Sequence, residues 1–328
     1  MNLQNIQNSP FRICLLFLGL CLAHSSWAQK QYKIVYNVLE DKATGNYEVY
    51  SMNMDGSQPK KLTHTPGVEW AYYAYKDKVY FVSDADTCKR CYFLYEMDAN
   101  GHQKRKVSEL QLEDSYMGSN NRGRQLLVLG KTGKIGGPQL FLINLKDGSY
   151  KQISFDTLSS KRDPIILPGG KEMVLAYRPN KQLRKTVPEE LWKMNLDGSN
   201  AVQLTFFPIA DSSTKWYEYH AGPPQWNNRY GFISYMSRQN GQHQIFGVKP
   251  NVAISNKAAQ WQITHGEMGS GWHSWSSDGQ WLAMDKTNKA ETSYDIYLMN
   301  YATGKTIQLT NGPVIEQAPV IVEIKKGR

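Results

Sequence analysis

An all-β fold of six four-stranded units is predicted by three features of this 328-residue chain: a recurring hairpin, a glycine turn inside each copy, and a C-terminal segment left without a partner. The hairpin is clearest in "LWKMNLDGSNAVQLT", and related copies occupy Tyr50–Thr63, Tyr95–Ser108, Phe141–Ser154, Trp192–Thr205 and Tyr297–Thr310. A stretched sixth copy runs from Ile245 to Thr264. The closing Thr or Ser falls at 63, 108, 154, 205, 264 and 310, giving intervals of 45, 46, 51, 59 and 46 residues. Alternation such as Tyr297-Leu298-Met299 suits a pleated strand with one buried face, and Asp-Gly or Thr-Gly supplies the positive φ that a tight turn demands. The short "QLT" or "KLT" that follows is the partner strand.

Upstream of each hairpin a second strand pair is expected around another polar turn. It is clearest in "HSWSSDGQWLAMD" (His273 to Asp285), with weaker versions starting at Met117, Pro164 and Pro224. Four short strands per unit at this period predict a β-propeller, in which each blade buries its faces against its neighbours. The chain opens in mid-repeat at Tyr32–Val38 and finishes on an orphan segment, Gln317–Ile324. That tail is expected to become the innermost strand of the first blade, closing the ring and removing exposed strand edges.

Residues 1–28 read as a secretory signal peptide: Arg12, an apolar run from Ile13 to Ala23, then Ser26-Trp27-Ala28, with cleavage expected after Ala28. Leu20 precedes Cys21, which disfavours lipid attachment. Residues 29–328 are expected to form a single, monomeric propeller domain, periplasmic or secreted and not membrane-spanning, since no later run is long enough to span a bilayer. Cys88 and Cys91 remain, and a local disulfide fits an oxidising compartment better than a redox motif, because the flanking segments look like strands. A zinc site would need a second cysteine pair. Charge is +9, reduced by one when Arg12 leaves, but Lys and Arg are scattered over many loops, so no nucleic-acid partner is expected.

Extra sequence collects on one face of the expected ring, in Arg178–Glu190, Phe206–Pro224, Asp285–Asp295 and the Cys88–Cys91 loop. Loops on a rigid scaffold are where binding function concentrates. Residues placed just before each innermost strand are expected at the channel mouth: Glu69 and Trp70, Asp114 and Tyr116, Arg162 and Asp163, Tyr219 and His220, Trp272 and His273, and Glu316 and Gln317. Their mix of acids, aromatics, His and Arg suits a polar ligand stacked on rings, although polar side chains also simply hydrate such a channel. Neither Gly-x-Ser-x-Gly nor His-Glu-x-x-His occurs, nor does a phosphate-cradling glycine motif, so those enzyme classes have no sequence support.

The segments "IYLMNYATGKTIQLT", "LWKMNLDGSNAVQLT" and "WSSDGQWLAM" resemble the TolB-type, WD-related repeat, and the likeness covers Lys30 to Ile324. It implies a six-bladed periplasmic propeller, a scaffold used by binding modules and occasionally by enzymes; an envelope module that binds a protein or a glycan, without catalysis or a cofactor, is expected. Secreted oligogalacturonate lyases are similar in architecture, and that resemblance implies an alternative. In it a divalent metal is held by His220, His273 and Gln317, with Arg162 neutralising a uronate.

Overall fold

The computed structural model describes residues 30–85, 87–133, 137–208, 210–251 and 260–324. The expected signal peptide and its cleavage site lie outside the described residues. All strands fall within Gln31–Arg328, and no α-helix occurs among the described residues. The strands form five sheets in a propeller-like arrangement. Three have the predicted four strands in simple antiparallel succession, beginning at Glu69–Tyr75, Ser160–Ile166 and Pro224–Asn227. The sheet built on Gln125–Lys131 has five, because Gln111–Leu112 and Gly118–Asn120 both pair with that strand, one at each of its ends.

The remaining sheet has eight strands. In it Ile315–Ile324 lies antiparallel to Gln31–Asp41, with register from Gln31↔Ile324 to Leu39↔Ile315. One parallel pairing, Tyr294↔Ile315, links this group to the strands of 269–308. The C-terminal segment thus occupies the inner position beside Gln31–Asp41.

The recurrent hairpin has a local cause. In Asp197-Gly198-Ser199 the glycine sits at φ 84°, the Asp197 carboxylate accepts the Ser199 N–H at 2.9 Å, and Asn195 N–H donates to the Ser199 carbonyl at 2.9 Å. Asp55-Gly56-Ser57 repeats the pattern, with Gly56 at φ 83° and the Ser57 N–H 3.0 Å from Asp55. An L side chain at the glycine would be strained in this left-handed conformation.

The closing Thr or Ser is a clasp. Thr205 Oγ1 accepts the Leu191 N–H at 2.8 Å and donates to the Glu190 carboxylate at 2.6 Å, whose other oxygen accepts the Phe207 N–H at 2.6 Å. The same double bond joins Thr63 to Val49 and Glu48, Ser154 to Leu140 and Gln139, and Thr264 to Ile245 and Gln244. Thr310 accepts the Ile296 N–H at 2.9 Å. Ser108 departs from the pattern. The matching position before its hairpin is Phe93, which offers no acceptor, and Ser108 Oγ donates to the Gly148 carbonyl at 2.6 Å. Burial raises the Glu190 pKa to about 7 despite its bonds to Thr205 and the Phe207 N–H.

Six apolar clusters fill the spaces between strand groups. Val35 and Val49 meet Val79 and Phe81; Val82 and Leu94 meet Leu126 and Phe141; Leu127 and Leu140 meet Met173 and Leu175. Val174 and Leu191 meet Ile233 and Tyr235; Phe232 and Ile245 meet Leu282 and Met284; Ala283 and Ile296 meet Ile34 and Tyr36. Sheets approach closely at Gly118, where a Cβ would lie 2.9 Å from the Ile165 Cα.

The innermost strands start earlier than the turns suggest. Glu69, Trp70, Arg162, Asp163, Trp272, His273, Glu316 and Gln317 lie inside strands rather than before them. Several inner strands also carry a register shift, between Ala71 and Tyr73, Arg162 and Ile165, and Ser270 and His273. Asp163 and Ala318 have φ of 54° and 49° at such irregularities.

Thr205→Val keeps the shape of the side chain but strips the clasp from Leu191 and Glu190. The variant is expected to lose about 2 kcal/mol, read as a lower urea midpoint at unchanged m-value. Deleting 318–328 removes the partner of Gln31–Asp41, and thermal melting is expected to fall by roughly 10 °C or more; an unchanged melting temperature would contradict the pairing's importance.

Candidate functional site

Seven of the residues expected at the channel mouth converge on one cavity of about 390 Å³: Trp70, Asp114, Tyr116, Arg162, Asp163, Tyr219 and Trp272. Tyr47, Tyr72, Arg90 and Tyr92 line it too. Its size falls in the range of small-molecule pockets.

The walls are aromatic. Ring centroids lie 4.7 Å apart for Tyr47 and Trp70, 5.8 Å for Trp70 and Trp272 in an edge-on pair, and 5.0 Å for Tyr72 and Tyr116. The Arg162 guanidinium lies 4.6 Å from the centre of the Tyr219 ring, and its Nε donates to Glu189 at 2.7 Å. Glu189, although burial alone would raise its pKa, is held below the ordinary value by Arg162, Ser160 and Arg178.

Two carboxylates sit among these rings. Asp163 uses the irregularity in its strand: its N–H donates to Ser115 Oγ at 2.8 Å, and its Oδ1 accepts the Tyr116 N–H at 2.9 Å. Burial raises its pKa, against the charge of Arg162. Asp114 accepts the Tyr72 hydroxyl, and burial together with the Asp163 charge raises its pKa to about 6. Three polar atoms of the lining are buried without a protein partner: Trp70 Nε1, Tyr116 Oη and Asp163 Oδ2.

The other expected residues are placed elsewhere, and strand alternation is the reason. Glu69, next to Trp70, turns into the sheet and accepts bonds from Ser83 at 3.1 Å and Lys104 at 3.3 Å. His273, next to Trp272, is fully buried, with Nε2 2.8 Å from Ser234 Oγ and Nδ1 3.1 Å from the Gly271 carbonyl; burial lowers its pKa to about 4. His220 packs edge-on against Phe207 in a separate recess of about 130 Å³ with Thr186 and Trp216, and burial and Arg178 lower its pKa. Glu316 is buried and raised in pKa by that burial, while Gln317 Oε1 accepts the Tyr47 hydroxyl at 3.3 Å behind the cavity wall. Of His220, His273 and Gln317, the metal set implied by the lyase resemblance, His220 lines the recess beside Phe207, His273 bonds Ser234 and Gly271, and Gln317 bonds Tyr47. Cys88 and Cys91 have Cα atoms 5.1 Å apart, a separation that a disulfide spans. Tyr72 was legible in principle, two positions beyond Trp70 on the same strand; Tyr47 comes from another strand and Tyr92 from an isolated bridge to Leu112, and neither carries a local signal.

No protein-family profile matches this chain, and no curated protein sequence matches it. Solved structures do. TolB from Acinetobacter baumannii superposes with a TM-score of 0.66 at 15% identity, covering 88% of this chain and 66% of that one. Putative TolB from Agrobacterium tumefaciens gives 0.58 at 13% identity, covering 90% and 99%. An oligogalacturonate lyase in complex with manganese gives 0.53 at 15% identity, covering 84% and 73%.

Because Asp114 holds its proton in the fold between the ordinary value of 3.8 and about 6, the native state binds more protons than the unfolded chain there, and stability falls as pH rises through that window. Asp114→Asn is expected to flatten this part of the profile, measured by urea unfolding from about pH 4 to about pH 7. The chain has the β-propeller fold of TolB-type proteins.

Proposed function

We propose that this protein is an exported, non-catalytic binding propeller of the cell envelope, closed as a ring of six blades, that takes a polar ligand or a partner's side chain into the channel-mouth cavity. Splitting the eight-stranded sheet at its single Tyr294↔Ile315 pairing yields six strand groups, and each of the six apolar clusters lies between two consecutive groups. Ring closure is supported by the pairing of Ile315–Ile324 with Gln31–Asp41. Export is supported by the pattern of residues 1–28, and a Cys88–Cys91 disulfide is consistent with that compartment.

The observation that carries the binding role is a cavity of about 390 Å³ walled by the rings of Tyr47, Trp70, Tyr72, Tyr116, Tyr219 and Trp272, with Arg162 and the carboxylates of Asp114 and Asp163 among them. Ring faces and fixed polar atoms recognise a ligand without any step of bond-making. A metal-dependent lyase finds less support, since both ring nitrogens of His273 are engaged by Ser234 and Gly271.

The test compares wild type with the Trp272→Leu/Asp163→Asn double variant, using a glycan array and photo-crosslinking from position 47 in the exporting host. A ligand retained by wild type and weakened about tenfold or more by the variant is expected. Equal retention by a variant with native circular dichroism overturns the siting. Metal-dependent ultraviolet absorbance change on oligouronates overturns the non-catalytic reading.

A further inference from the structure

A second concave surface lies beside the channel mouth, between the 178–190 and 206–224 loops. It encloses about 600 Å³, and Arg162, Arg178, Lys181 and Arg184 line it against a single lining carboxylate, Glu189. Glu189 is already spent: one of its oxygens takes both Arg162 contacts and the other takes the Ser160 hydroxyl at 2.6 Å. Arg178 is left with the Val187 carbonyl at 2.7 Å and Glu189 only at 3.9 Å, although its side chain is 7% exposed. Burial accordingly lowers its pKa. A guanidinium set this deep beside a carboxylate shared with another guanidinium favours an incoming anion.

The rim adds apolar surface. Trp216 and Tyr217 are 40% and 57% exposed, and their rings stand edge to face with centroids 5.5 Å apart. The Arg184 guanidinium lies 4.5 Å from the Trp216 ring centre, which holds it over the groove. Leu183 sits between the lining residues Gln182 and Arg184 and is 46% exposed. Leu158, whose carbonyl accepts the Lys181 N–H at 2.9 Å, is 50% exposed. Exposed Trp, Tyr and Arg together are the composition of protein-binding hot spots.

We propose that this groove docks an acidic peptide segment of a partner protein, with Asp or Glu side chains on Arg178, Lys181 and Arg184 and apolar side chains against the exposed rings of Trp216 and Tyr217. Charge complementarity selects the acid. The exposed Trp216 and Tyr217 rings give the apolar side chains of a peptide a surface beside the cations. This surface is distinct from the aromatic cavity, although Arg162 borders both.

The probe is a fluorescein-labelled peptide of alternating aspartate and leucine, followed by fluorescence polarisation with the full chain. Saturable binding that weakens with added salt is expected, reduced about tenfold or more by Lys181→Glu/Arg184→Glu and by Trp216→Ala, all at exposed positions. Trp272→Leu, which alters only the aromatic cavity, is expected to leave peptide affinity unchanged, so failure here and failure of the channel-mouth site give different results. No saturable peptide binding, binding indifferent to the charge reversals, equal binding by a lysine–leucine peptide, or an oligouronate that binds the groove more tightly than the peptide each overturns the proposal.

Discussion

The hydroxyl that ends each hairpin is the contact on which the repeat depends. A two- or three-residue outer strand such as Val202–Gln203 has too few ladder bonds to hold itself against the sheet. Thr205 supplies what the ladder lacks, joining the backbone of Leu191 to a buried acid in the same strand. Glu190 is tolerated there because Thr205 and the Phe207 N–H satisfy its oxygens, and its raised pKa records the remaining cost of burial. Where Phe93 replaces the acceptor, Ser108 reaches the next sheet at Gly148 instead, converting a contact within one unit into one between units.

At the cavity, geometry is set by departures from regularity. Regular alternation would send Arg162 and Asp163 to opposite faces. The positive φ of Asp163 and the break in register that follows allow both to border the cavity, with Ser115 and the Tyr116 N–H fixing the aspartate. Ala318 shows the same device in the C-terminal strand, its N–H donating to Asp285 at 2.9 Å. Asp285 is itself fully buried and raised to about 7 by that burial. Asp163 thus reaches the cavity through a strand irregularity and joins the acids and rings that crowd there.

Much of the architecture was legible in the sequence, because the hairpin turn and its closing hydroxyl are local chemistry. Asp-Gly-Ser turns, the Thr at each unit's end and the partnership of Gln317–Ile324 with the first strand all follow from residue types at short spacing. The site was legible by half. Its candidates were chosen as pairs such as Glu69 with Trp70 or Trp272 with His273, and within a strand neighbours face opposite ways, so one of each of these pairs left the cavity. Tyr47 and Tyr92 reach it by tertiary packing alone. The fifth strand at Gln111–Leu112 was hidden because a two-residue segment has no periodicity to read.

The seam between the two ends of the described chain has a bearing on biogenesis. Gln31–Asp41 leaves the ribosome before the strand that covers its inner side, Ile315–Ile324, with every other described strand between them. During that interval an apolar edge containing Ile34, Val35 and Tyr36 stands open to other chains, and loop closure over such a distance is slow. Holding factors in the compartment where folding occurs therefore have one specific edge to shield, and the completed molecule withdraws it in a single event.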